Sequence, residues 1–302
     1  MAPIEAALDA NYQVHRLWQA EDRTALLAEI GPRVRAVVTG GGTGVSPALF
    51  DALPQLGLIA INGIGTDAVD LERAHRQGVR VTTTPGVLTD DVADIAIALM
   101  LASSRRIAEG DRLVRGGAWS QGKRLALGRS LRGTRVGIFG LGQIGRAIAK
   151  RAEAFSTQIR YFNRSDVPDA PWPRFESLEA LARDSDILIV SVAGGAQTKG
   201  LVNRAVLDAL GPDGILINIA RGSVVDEPEL VSALKDGRIW GAGLDVFAHE
   251  PHVPEELFDL DNVVLMPHQG SATIETRLAM GELVLRNVAA YFAGQELLSA
   301  AM

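Results

Sequence analysis

The chain has 302 residues, long enough for two domains with cores of their own, and its 47% hydrophobic and 22% charged content is ordinary for a soluble globular protein. A net charge of −6 gives no support for nucleic acid or an anionic membrane as a partner, and the lack of cysteine excludes disulfides, thiolate metal sites and a cysteine nucleophile. Met1-Ala2-Pro3-Ile4-Glu5 lacks the basic and apolar blocks of a signal peptide, and the longest clean apolar run, 95–102, is too short to span a bilayer, so a cytoplasmic location is expected.

Residues 34–38 read as a strand ending in the glycine-rich loop 39–44, and a helix starts near Pro47. A second strand, 58–61, runs into Asn62-Gly63-Ile64-Gly65-Thr66-Asp67. A short helix, 70–77, is closed by Gly78, and a third strand, 79–83, is stopped by Pro85-Gly86. This βαβαβ order predicts a parallel sheet with helices on its faces. Asp90 or Asp91 is placed to cap a long helix whose run 95–102 is apolar all round, hence buried. That helix continues toward Arg115 and ends at Gly116-Gly117-Ala118-Trp119; the polar, glycine-punctuated stretch 120–132 reads as an arm or loop.

Next comes Val136-Gly137-Ile138-Phe139, then Gly140-Leu141-Gly142-Gln143-Ile144-Gly145, then a helical pattern over 146–152. Strand, tight turn and helix are what a dinucleotide pyrophosphate needs. The first glycine allows the turn, the second admits the phosphates and the third lets helix pack on strand. The helix N-terminus then offers free N–H groups to the anion. A strand at 159–162 leads into Asn163-Arg164-Ser165, where an NAD site would place a carboxylate for the ribose 2′-OH. Asn163 does not repel a 2′-phosphate, Arg164 offers it charge-assisted hydrogen bonds and Ser165 adds a hydroxyl, while Asp166 points away. NADP(H) is therefore preferred, with NAD(H) as the alternative in which Arg164 is a solvated loop residue. Later strands are 187–190, 215–218, 263–266 and a further one at 241–246; helices start from Glu176 and Glu227, and a last helix covers 274–292.

In open α/β sheets ligands bind beyond the carboxyl ends of the strands. Arg221 follows one such end, His249, Glu250 and Pro251 a second, and His268, Gln269 and Gly270 a third. The set suits reduction of a carbonyl by a nicotinamide. A protonated imidazole donates to the developing oxyanion, a neighbouring carboxylate keeps that imidazole protonated, and an arginine fork holds oxyanion and substrate carboxylate. His268 is assigned as acid/base, Glu250 as its partner and Arg221 as the clamp; on position alone His249 and His252 are rivals to His268. Asn62-Gly63-Ile64-Gly65, at a strand end of the other domain, reads either as an anion cradle for the substrate carboxylate or as a flexible turn. No His/Asp/Glu cluster has metal-ligand spacing, so no metal is expected.

These motifs carry a resemblance over nearly the full length to the D-isomer-specific 2-hydroxyacid dehydrogenases: Asn62 to Asp67, Gly140 to Gly145, Ile219-Ala220-Arg221-Gly222 with Val225-Asp226, Asp245-Val246-Phe247 with Glu250-Pro251, and Pro267-His268. Within that family, residues 84–94, Arg115-Gly116-Gly117-Ala118-Trp119 and Asn163-Arg164-Ser165 look most like the NADPH-dependent glyoxylate/hydroxypyruvate reductases. The resemblance implies a catalytic Arg221, Glu250 and His268 set, and so favours His268 over His249. It implies two Rossmann-like doubly wound α/β domains with the active site in the cleft between them. These are a substrate domain from both chain ends (1–96 and 275–302) and a cofactor domain (97–274), joined by two hinges. The expected cofactor-binding residues are Gly140 to Gly145, Asn163, Arg164, Ser165, Val192, Ile219, Arg221, Asp245, His268 and Gly270; those for substrate are Gly63, Ile64, Gly65, Arg221 and His268. It also implies a homodimer in which Trp119 reaches the partner's site.

The function expected is reduction of a small 2-oxo acid, glyoxylate or hydroxypyruvate. The alternatives are an NAD-linked dehydrogenase of the phosphoglycerate type and a dinucleotide-sensing interaction protein of the same fold. One segment departs from the family. Where a Pro-Leu-Thr-Pro-like stretch is usual, this chain has Ser191-Val192-Ala193-Gly194-Gly195-Ala196-Gln197-Thr198, which predicts a more flexible loop.

Overall fold

In the computed structural model, which describes residues 1–301, the chain divides into two units: Met1–Leu88 together with the segment from Ser271 onward, and Thr89–Gly270. The first opens with two helices that the sequence pattern did not announce, α1 (Ala2–Asn11) and α2 (Arg23–Ile30). α1 buries none of its residues and α2 only Ile30, so neither carries a clear apolar stripe. Asp22 caps α2 by accepting the N–H groups of Thr24 and Ala25. β1 (Ala36–Gly40), α3 (Pro47–Ala52), β2 (Leu58–Asn62), α4 (Leu71–Arg76) and β3 (Arg80–Thr82) follow. Ser46 and Asp70 cap α3 and α4, and Gly78 turns the chain out of α4 at φ +70°.

The three strands pair in parallel in the order β1-β2-β3, with Ala36 opposite Leu58 and Leu58 opposite Arg80. Alternation sorts the central strand. Ile59 and Ile61 join Phe50, Leu53 and Ala74 on one face, while Leu58 and Ala60 meet Val284 and Val288 on the other.

The second unit begins with α5 (Thr89–Arg105) and α6 (Ile107–Arg115), where the sequence predicted one helix. The break is Arg106, in left-handed backbone at φ +54°, which ends the α5 hydrogen-bond ladder; its guanidinium pairs with Glu109 at 2.5 Å. Asp90 and Asp91 lie inside the first turn of α5 rather than before it. The helix is not buried all round either: Asp94 and Ala98 are exposed.

Then come β4 (Arg135–Phe139), α7 (Gln143–Glu153), β5 (Gln158–Phe162), α8 (Leu178–Arg183), β6 (Ile187–Val190), α9 (Arg204–Leu210), β7 (Ile215–Asn218), α10 (Glu227–Lys235), β8 (Gly241–Leu244) and β9 (Val263–Leu265). All six strands are parallel, in the order β5-β4-β6-β7-β8-β9. The chain goes from β4 to β5 on one side and returns to β6 on the other, so the carboxyl end of β4 is a switch point. Leu188, Val190, Leu216 and Leu244 pack with Leu181, Leu207 and Leu230 on one face, and α5 lies against β7, β8 and β9. That packing places the whole of α5 in this unit, so the boundary falls at 88/89 where the sequence put it at 96/97, and at 270/271 where the sequence put it at 274/275. Arg151 of α7 donates to both Asp94 (2.6 Å) and Asp90 (2.8 Å), tying α7 to α5. The chain closes the first unit with α11 (Ile274–Phe292), which lies on β2 and α1. Among the described residues no helix is long and apolar enough to cross a membrane.

Candidate active site

β4 hands the chain to a glycine turn whose three glycines meet different demands. At Gly140 φ is +102°, and a Cβ there would lie 2.7 Å from a Val192 methyl carbon. At Gly145 a Cβ would lie 2.1 Å from the Gly140 oxygen, so α7 can pack this close to the turn only without a side chain. At Gly142 nothing stands within 4 Å of an added Cβ: the concave side of the turn is open. Gly142 is also the N-cap of α7 and supplies no side-chain acceptor. Open space over uncapped helix N–H groups fits a dinucleotide pyrophosphate. Gln143 is exposed, Ile144 half-buried and Leu141 buried. Two outside groups fix the turn: Asn163 Oδ1 accepts the Leu141 N–H at 2.6 Å, and Ser191 Oγ donates to the Gly140 carbonyl at 2.6 Å. Arg164 and Ser165 are exposed; Arg164 donates to the Gln197 side-chain oxygen, and Asp166 pairs with Arg174.

Three further strand ends carry the polar set. β7 ends in Asn218, which is 1% exposed; its amide accepts the Ala220 N–H at 3.1 Å and donates to the Arg221 carbonyl at 3.0 Å, shaping the bend that presents Arg221. The half-buried Arg221 donates through Nη1 to the Ala220 carbonyl at 2.8 Å, and Ile219 is buried beside it. Beyond β8, Asp245 is buried and collects three N–H groups. Its carbonyl takes His268 at 2.8 Å, and its carboxylate takes Gln269 at 2.6 Å and Gly270 at 2.8 Å. Burial pushes the Asp245 carboxyl above its ordinary range, against the two N–H bonds and the charge of His268, which pull it down.

The turn after β8 returns Glu250 to its own start, with Oε1 accepting the Phe247 N–H at 3.0 Å, and Glu227 accepts the Ala248 N–H at 2.9 Å. Glu250 Oε2 then meets His268 Nδ1 at 2.7 Å. Burial would raise the Glu250 carboxyl, but the bonds from His268 and the Phe247 N–H, with the charges of His268 and Arg221, hold it below its usual range. His249 and His252 share a tight turn instead, the His252 N–H donating to the His249 carbonyl at 2.8 Å.

The set from β7, β8 and β9 therefore sits at one end of one sheet, with Glu250 and His268 in contact and Arg221 close enough for its charge to act on Glu250. Gly63, Ile64 and Gly65 belong to the other unit, where the Gly63 carbonyl accepts the Thr84 N–H at 2.9 Å and Ile64 is exposed. Trp119 stands just past α6 and is 65% exposed. Val192 is half-buried in a loop with internal ties: Thr198 Oγ1 donates to the Ala193 carbonyl at 2.7 Å. Sequence reading missed Asn218, Glu227 and Gln197. The first had a signal, a polar residue ending an apolar strand; the other two bond to residues far along the chain and had none.

A parallel sheet with a glycine turn at its switch point and Arg, Glu and His at three neighbouring strand ends defines a dinucleotide-dependent oxidoreductase. The chain belongs to the D-isomer specific 2-hydroxyacid dehydrogenase family, whose NAD binding domain matches residues 97–270. It is 51% identical over 296 residues to hydroxyphenylpyruvate reductase of Plectranthus scutellarioides, covering 98% of this chain and 94% of that protein. It is 48% identical to glyoxylate/hydroxypyruvate reductase A of Arabidopsis thaliana with the same coverage. Among solved structures it is similar to an NADPH-dependent glyoxylate/hydroxypyruvate reductase from Sinorhizobium meliloti in complex with NADP and malonate, at 42% identity and a TM-score of 0.93, covering 100% of this chain and 93% of that one.

Proposed function

We propose that this protein reduces small 2-oxo acids, glyoxylate to glycolate and hydroxypyruvate to D-glycerate, with NADPH. The observation that carries the reading is the 2.7 Å contact of Glu250 with His268 Nδ1 beside Arg221. NADPH, when bound, supplies the hydride that reaches the carbonyl carbon. His268 gives its Nε2 proton to the carbonyl oxygen, and Glu250 on the opposite ring nitrogen stabilises the imidazolium that must be present beforehand. Arg221 draws the carbonyl oxygen and the substrate carboxylate into one planar fork. Gly63, Ile64 and Gly65 are the first unit's candidate backbone N–H donors to a substrate carboxylate. Gly140 to Gly145 would hold the pyrophosphate, Asn163, Arg164 and Ser165 would face the 2′-phosphate end, and Val192, Ile219, Asp245 and Gly270 would complete the cofactor's surroundings.

The active form is a homodimer, with Trp119 entering the partner's site. Its support is an apolar stripe on the surface: Ile107 and Val114, seven residues apart on α6, are each more than half exposed, as are Trp119 and Leu127.

The test is a comparison of initial rates with glyoxylate, hydroxypyruvate and hydroxyphenylpyruvate, each with NADPH and NADH. Turnover of the two small acids with strong NADPH preference is expected. Turnover with NADH alone would overturn the cofactor assignment, and turnover of hydroxyphenylpyruvate alone would overturn the substrate assignment.

A further inference from the structure

The loop that departs from the family pattern carries one residue toward the proposed 2′-phosphate site. β5 and β6 flank β4 on opposite sides, so the segments that follow them, 163–166 and 191–200, stand on either side of the glycine turn. Arg164 and Gln197 meet across it: Arg164 Nη1 donates to Gln197 Oε1. The rest of each segment is pinned independently. Asn163 holds the Leu141 N–H, and Arg174 Nη2 donates to the carbonyls of Asn163 (3.0 Å) and Arg164 (3.3 Å). On the other side the N–H groups of Thr198 and Lys199 both reach the Gly195 carbonyl at 3.1 Å, and the Gly200 N–H reaches Ser223 at 2.8 Å. Two fixed backbones thus project one long side chain each, and the two chains close on one another.

We propose that Gln197 is a positioning residue for cofactor choice: it holds the Arg164 fork beside the glycine turn, where Arg164 would meet a 2′-phosphate. The inference rests on the proposed role of Arg164 at the 2′-phosphate. A guanidinium has five N–H donors, so Arg164 keeps its bond to Gln197 and still presents donors to a phosphate. An unheld arginine loses several rotatable bonds of freedom on binding, and Gln197 removes part of that cost before the cofactor arrives. A neutral amide is the right partner, because a carboxylate there would neutralise Arg164 and repel the phosphate.

The experiment titrates purified protein with NADPH and with NADH, read by nucleotide fluorescence without substrate, for wild type, R164A, Q197A, Q197E and the R164A/Q197A double variant. Both side chains are at the surface, so folding is not at stake. Gln197→Ala should raise the NADPH dissociation constant by about three- to tenfold, the worth of one hydrogen bond, and leave NADH within about twofold. Gln197→Glu should raise the NADPH constant further. In the Arg164→Ala background, Gln197→Ala should add nothing. If R164A weakens NADPH and NADH equally, the 2′-phosphate reading falls and this inference with it. If R164A is selective for NADPH but Q197A is not, or if Q197A weakens NADPH equally with Arg164 absent, the positioning role alone falls.

Discussion

His268 stands in left-handed backbone at φ +55°, a conformation that few residues with a side chain adopt. Asp245 holds it there through the consecutive N–H groups of residues 268–270, while Glu250 fixes the ring from the side. The imidazole is thus placed by its neighbours rather than by a strand. His268→Ala should cut turnover by about 10²- to 10⁴-fold, the range of a lost general acid, while the NADPH dissociation constant stays within about twofold; steady-state rates beside a binding titration decide it. The two carboxylates pull stability in opposite directions with pH. Glu250 titrates below its ordinary range in the fold, so it stabilises above that range, and the contribution is lost as pH falls through its folded value. Asp245 titrates above its ordinary range, so its contribution is full below the unfolded value and fades as pH rises through the folded one. Melting temperature measured from pH 7 down to pH 3 should fall less steeply in Glu250→Gln than in wild type. Equal slopes would remove Glu250 from the acid limb.

At the scale of elements, the site depends on how closely the loops after β7 and β8 approach. A Cβ on Gly222 would lie 1.9 Å from the Phe247 carbonyl carbon, so the segment after Arg221 lies against the backbone leading to Glu250. Gly222→Ala forces these loops apart. It should lower kcat at least tenfold and cost about 1–3 kcal/mol of stability, the usual range for overpacking, read by kinetics and thermal denaturation of the same sample. An unchanged kcat would mean that Arg221 and Glu250 are placed independently. The central strands were legible because they are buried on both faces and read as apolar runs, as 187–190 and 215–217 do. The glycine turn was legible because its constraints are local. Other features were not. α9 spans seven residues, too few to display a period, although Asn203 caps it and Val206, Leu207 and Leu210 are buried. The break at Arg106 has no glycine or asparagine to announce it. The bond from Asn163 to the Leu141 N–H joins two motifs read separately, and only the pairing of β4 with β5 brings them together.

For the molecule as a whole, α6 and the following arm leave several apolar side chains exposed: Ile107, Val114, Trp119 and Leu127. α6 buries none of its residues, and Leu127 is 93% exposed. Leu127→Asp and Val114→Asp together should convert a dimer to a monomer in sedimentation velocity at micromolar concentration, since charge at an interface core is strongly disfavoured. A wild-type monomer would overturn the proposed assembly. The composite origin of the first unit bears on synthesis. The face of β2 made by Leu58 and Ala60 is covered by Val284 and Val288 of α11, which the ribosome makes only after the entire second unit. A nascent chain therefore carries an apolar sheet face with its permanent cover still untranslated, while Thr89–Gly270 emerges with every strand of its own sheet in sequence. The cofactor-binding half is thus made in full before the segment that covers β2. A trim that removed α11 would therefore uncover Leu58 and Ala60 of β2 while leaving all six strands of the second sheet in the chain.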